Sequence, residues 1–85
     1  MHKLKDLALS DTGFVFDPYS GATFMANPVA VCMIEGLRKS LTRSEVVEEV
    51  GRRFELLGED VARDLEDLVQ SMRTHGLLPA EYEVK

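Results

Sequence analysis

The chain has 85 residues, 45% hydrophobic and 29% charged, a soluble globular balance that excludes a disordered polymer. Ten Lys and Arg against fifteen Asp and Glu leave a net charge of −5, which argues against a phosphate backbone or an anionic membrane surface as partner. The longest apolar run, Val29 to Ile34, is far too short for a membrane span, and a single cysteine, Cys32, excludes an internal disulfide.

Met1-His2-Lys3-Leu4-Lys5-Asp6 has no apolar core of a signal peptide, so a cytoplasmic protein is expected. The length predicts one domain over residues 1–80 with a short tail, residues 81–85.

Leu7-Ala8-Leu9 opens a first strand, and Ser10-Asp11-Thr12-Gly13 is a turn cluster. Phe14-Val15-Phe16 is β-branched and aromatic, as a strand requires. Asp17-Pro18-Tyr19-Ser20-Gly21 reads as a type I turn closed by glycine. Ala22-Thr23-Phe24-Met25-Ala26 is the returning strand, so the first third predicts an antiparallel meander of three strands.

Three helices follow. Asn27 caps the first and Pro28 occupies its first position, with an end near Ser40 and with Val29 through Ile34 at the centre of the core. Thr42-Arg43-Ser44-Glu45 is a capping box for the second, whose apolar stripe is Val46, Val47, Val50 and Phe54. Glu48 with Arg52, and Glu49 with Arg53, are spaced as surface ion pairs. Gly58 breaks the pattern, and Glu59 and Asp60 open the third helix. Its stripe is Val61, Leu65, Leu68 and Met72, widened by Ala62 and Val69. Gly76 ends it as a left-handed residue, with Leu77 folding back on Met72 and Pro79 preventing a restart. The fold class is α+β, a three-stranded meander followed by three helices that cover one sheet face.

Chemistry-bearing residues are few. Cys32 lies in an apolar segment with no histidine within a turn, as a buried small hydrophobe would. His75 precedes the helix-ending glycine, where an imidazolium favours the terminal carbonyls. With His2 and His75 at opposite ends, no metal site and no cofactor are expected, and the absence of a nucleophile–base pair or glycine-rich loop predicts a non-enzyme. Asp60, Asp64 and Asp67 share one helical face, a solvated surface or a region able to steer a basic ligand: Glu59 through Asp67 carry five acids and one base, Arg63.

The informative feature is a sheet edge. The first strand is guarded by Lys3, Lys5 and Asp6, whereas Ala22 through Ala26 carry no charge and no proline and present Phe24 and Met25 to opposite faces. Such an edge suits β-augmentation by an extended peptide, unless residues 81–85 or a second copy cover it.

The run Gly13-Phe14-Val15-Phe16-Asp17-Pro18, Gly21-Ala22-Thr23-Phe24 and Asn27-Pro28 resembles the PqqD family of peptide chaperones, the precursor-peptide recognition elements of ribosomally made, modified peptides. Glu35-Gly36-Leu37, Thr42-Arg43-Ser44-Glu45-Val46-Val47, Asp64-Leu65-Glu66-Asp67-Leu68 and Gly76-Leu77-Leu78 extend the resemblance over residues 7 to 78, with details like the branch found beside HPr-kinase-related proteins. It implies a winged-helix-like fold in which a leader peptide adds to the third strand, packs on the third helix and is held for a separate modifying enzyme. Carried over, one wall of the groove is Ala22, Thr23, Phe24, Met25 and Ala26, and the other is the Asp60–Arg73 helix. Within that helix the core stripe leaves its flank, Ala62, Glu66, Val69 and Arg73, as the expected peptide contacts. Two other readings compete: a winged-helix DNA-binding regulator built on the last two helices, and a self-associating subunit that dimerises through the same edge.

Overall fold

The computed structural model describes residues 3–85. In chain order the elements are α1 (Lys3–Asp6), β1 (Ala8–Leu9), β2 (Phe14–Phe16), β3 (Thr23–Met25), α2 (Pro28–Arg38), α3 (Arg43–Phe54) and α4 (Gly58–Thr74). The three strands form one antiparallel sheet in the order β1-β2-β3, followed by the three long helices. The expected α+β meander is therefore present.

β2 divides its backbone between two neighbours. Its register with β1 pairs Ala8 with Phe16 and Leu9 with Val15; with β3 it pairs Phe14 with Met25, Val15 with Phe24 and Phe16 with Thr23. Val15 is fully buried, so Val15 and Phe24 face the helices, while Phe14 and Met25 stand exposed on the other face.

Gly13 fixes the start of the β2–β3 pairing. Its carbonyl accepts the Ala26 amide at 2.8 Å, and its own amide donates to Ser10 at 3.0 Å. Its φ is +92°, and a Cβ there would lie 2.0 Å from the Ala26 carbonyl oxygen. Position 13 therefore needs glycine both for conformation and for space. At the other end, the turn after β2 closes over five residues, one more than the expected type I turn: the Gly21 amide donates to the Asp17 carbonyl at 2.8 Å. The buried Asp17 carboxylate organises this loop, accepting from the Tyr19 amide (2.9 Å) and the Ser20 hydroxyl (2.8 Å).

The helix signals are met closely. Asn27 Oδ1 accepts the Ala30 amide at 2.8 Å with Pro28 as the first helical residue. The Thr42–Glu45 box is complete in both directions. At the end of α4 the Leu77 amide donates to the Met72 carbonyl (2.8 Å) and Gly76 to Arg73 (3.0 Å), with Gly76 at φ +78°. This is the double closure of a Schellman motif, and it buries Leu77 and Leu78.

Several expectations are corrected. Lys3, Lys5 and Asp6 belong to the helical turn α1 rather than to an extended run before the first strand, and Leu4 within this turn and Leu7 just after it lie in the core. His2 lies outside the described residues. α2 ends at Arg38 rather than Ser40, because Ser40 itself takes the left-handed conformation (φ 65°). Its deeply buried stretch begins at Cys32, while Val29, Ala30 and Val31 are only half-buried. The break between α3 and α4 falls at Glu55 (φ 54°), and Gly58 is the first residue of α4. Arg52 pairs with Glu49, one turn back, and Arg53 donates to the Cys32 sulfur at 3.4 Å, so neither predicted i,i+4 pair forms.

The core joins Val15 and Ala26 from the sheet region to Met33, Ile34, Leu37, Val46, Val50, Val61, Leu65 and Met72 from the helices. Gly13→Ala must break the Gly13–Ala26 approach, so it should destabilise the fold by about 2–3 kcal/mol. Thermal unfolding should show a midpoint lower by roughly 10–20 °C. An unchanged midpoint would mean that the approach is not needed.

Candidate functional site

Hydrogen bonding alternates along β3. Ala26 donates to Gly13, and Asp17 donates to the Ala22 carbonyl at 2.9 Å, so the pairs 13–26 and 17–22 are hydrogen-bonded pairs. Antiparallel pairs alternate in kind, which makes Val15–Phe24 a third. The main-chain N–H and C=O of Thr23 and Met25 then point away from β2. Among the described residues no strand lies on that side.

Beside this edge is an open cavity of about 350 Å³. β3 and its continuation line it with Phe24, Met25, Ala26 and Asn27; α2 contributes Val29, Ala30 and Met33; α4 contributes Asp64, Asp67, Leu68 and Ser71. Met25 is 64% exposed, unusual for a methionine in a small domain. The Phe24 ring is half-buried and meets the His75 ring edge-on, centroids 5.3 Å apart. His75 Nδ1 also lies 2.7 Å from the Ser71 carbonyl, so it closes the end of α4 as expected and in addition steadies Phe24.

Among the described residues, two of the five acids of α4 are held in ion pairs, and the two that border the cavity are not. Asp60 is held by Arg63 at 2.7 Å and Glu66 by Arg43 of α3. Among the described residues, Asp64 and Asp67 have no ion-pair partner, and no basic side chain lines the cavity they border.

The strand positions named from sequence fall together. Thr23, Phe24 and Met25 form β3, Ala22 and Ala26 flank it, and Phe24, Met25 and Ala26 reach the cavity. The helix positions do not join them. With about 3.6 residues per turn, the apolar stripe of α4 has two flanks. Asp64, Asp67 and Ser71 occupy the one beside β3. Glu66 and Arg73 stand on the other with the buried Val69, lining a separate cleft with Arg43, Glu83 and Val84. Ala62 is half-buried and outside both. The flank beside β3 carries Asp64 and Asp67, and nothing in the local sequence says which flank turns toward the strand.

The tail lies on that second flank. Arg73 donates to the Tyr82 carbonyl, and residues 82–85 line a cleft with Leu37, Ser40 and Leu41. Residues 81–85 therefore do not cover β3. Burial raises the Tyr82 phenol above its ordinary value, because the phenolate would lose solvation. The docked tail thus favours the neutral phenol, and docking weakens as pH rises through the raised value. In a Tyr19→Phe variant, where Tyr82 is the remaining tyrosine, phenolate absorbance should titrate with a midpoint above 10.0. Adding Arg73→Ala should move it back down, whereas a midpoint already at 10.0 would mean an undocked tail.

Among the described residues no group of His, Cys, Asp and Glu is placed to hold a metal ion, and no helix is long and apolar enough to cross a membrane.

Comparison with curated proteins and with solved structures gives no significant match. The family described as Coenzyme PQQ synthesis protein D (PqqD) matches residues 13–78, from the glycine that opens the β2–β3 pairing to the leucine behind the Schellman turn. That match spans most of the chain and supports a peptide-binding chaperone role in the biosynthesis of modified peptides. The chain belongs to the PqqD family.

Proposed function

We propose that this protein captures the leader of a ribosomally made precursor peptide by adding it as a strand to the outer edge of β3. It then presents the peptide to a separate modifying enzyme and performs no chemistry itself. The observation that carries this reading is the outward main chain of Thr23 and Met25 beside an apolar-floored cavity.

Two outward residues offer up to four main-chain hydrogen bonds, each worth a net of about 0.5–1.5 kcal/mol. Ordering the peptide costs about 2–5 kcal/mol. The main chain alone is therefore close to neutral, and side chains seated on Phe24, Met33 and Leu68 supply the affinity. A micromolar dissociation constant, about −8 kcal/mol, is the expected result.

A duplex-DNA reading has the charge of α4 against it, since Glu59, Asp60, Asp64 and Asp67 would meet phosphates. Self-pairing uses the same edge, and light scattering across a concentration series distinguishes it from a monomeric binder.

The test is an NMR titration of labelled protein with peptides encoded beside its gene. Amide shifts should concentrate in residues 22–26 and 64–71 and saturate at micromolar peptide. Shifts confined to other surfaces would refute the groove. Met25→Pro removes an outward N–H without touching the β2 ladder, so the variant should fold and bind at least tenfold more weakly. A folded Met25→Pro protein with normal affinity would exclude strand addition.

A further inference from the structure

We infer that the segment captured at β3 is basic: it places a lysine or arginine, flanked by apolar residues, on the side of the added strand that faces α4. This inference rests on the strand-capture reading and adds the chemistry of the occupant.

An added strand sends every second side chain toward the helices and the others to the face shared with Met25. A helix-directed side chain crosses the floor made by Phe24, Met33 and Leu68 and reaches the rim at Asp64 and Asp67. The floor is apolar and the rim carries two carboxylates with no ion-pair partner among the described residues. A long cationic side chain matches both parts, since its methylenes cover the floor while its head reaches the rim. An acidic side chain would meet two like charges there. An aliphatic one would fill the floor and leave the rim unmatched.

The remaining walls reinforce this choice. β3 and the Asn27–Met33 stretch carry no charge, so nothing on them offsets the two aspartates. Asp60 and Glu66, paired with Arg63 and Arg43, lie outside the lining. The net charge of −5 acts in the same direction at longer range, drawing a basic segment in and turning an acidic one away.

The test is selection from a phage-displayed library of random linear octapeptides, on the wild-type protein and on Asp64→Asn/Asp67→Asn. Both side chains are exposed and, among the described residues, unpaired, so the double variant should give the wild-type pattern of amide dispersion. Wild-type selection should enrich lysine or arginine at one position between apolar residues, and the variant should lose that preference. A selected peptide should bind the wild type about tenfold more tightly than its glutamine counterpart at low salt, with the gap closing at high salt and in the variant. Peptides enriched without a basic residue, or with the same preference on both proteins, overturn the inference while leaving strand capture intact. No enrichment on folded wild-type protein overturns strand capture and the inference together.

Discussion

The contact between Gly13 and Ala26 is the constraint on which the rest of the site depends. A glycine with positive φ lets the backbone of the first turn come against the end of β3, and the Ala26 amide completes a hydrogen bond there. That bond sets the pairing class of each residue in β3 by simple alternation. It also delivers the chain to Asn27, whose side chain caps α2 one residue later. The first turn of α2 is thereby anchored beside the strand, and the space between them is the cavity. A side chain at position 13 would disturb the ladder, the helix start and the cavity together.

Local signals in the sequence translate into structure where the interaction they describe spans only a few residues. Asn27-Pro28, the Thr42–Glu45 box and the Gly76-Leu77 closure are legible because cap and capped group lie within five positions of each other. The strand pattern of Phe14-Val15-Phe16 is legible for the same reason. Failures occur where the deciding partner is distant. Lys3 and Lys5 look like edge guards until Leu4 and Leu7 are needed in the core, and that need pulls the segment into a helical turn. Arg53 leaves Glu49 for the Cys32 sulfur on another helix. Glu55 takes the left-handed position that Gly58, three residues on, was better suited to by type.

The two walls of the site show the same division. The strand wall follows from composition, since an uncharged five-residue segment after a turn is readable as an edge. The helix wall requires knowing how α4 is rotated, and a stripe with polar residues on both sides does not encode that. The packing of α4 on α3 settles the rotation, with Glu66 drawn to Arg43 and Val69 buried beside the tail. Asp64 and Asp67 are left to face β3. The tail illustrates the point further, for its alternation of charged and apolar residues is strand-like, yet Tyr82 and Val84 pack against the helices.

The shortness of β3 has a kinetic consequence. If the protein hands a captured leader to an enzyme, as proposed, it must also let it go. Three residues of strand, of which two turn their main chain outward, would keep such a peptide from being zipped in along a long ladder. With association at about 10⁶ M⁻¹ s⁻¹ and the proposed micromolar affinity, residence on the edge would be on the order of a second. A longer edge would hold more tightly and release more slowly, trading turnover for retention. Under the proposed strand capture, three residues would make β3 a transfer point, where each peptide stops briefly and the site is soon vacant for the next.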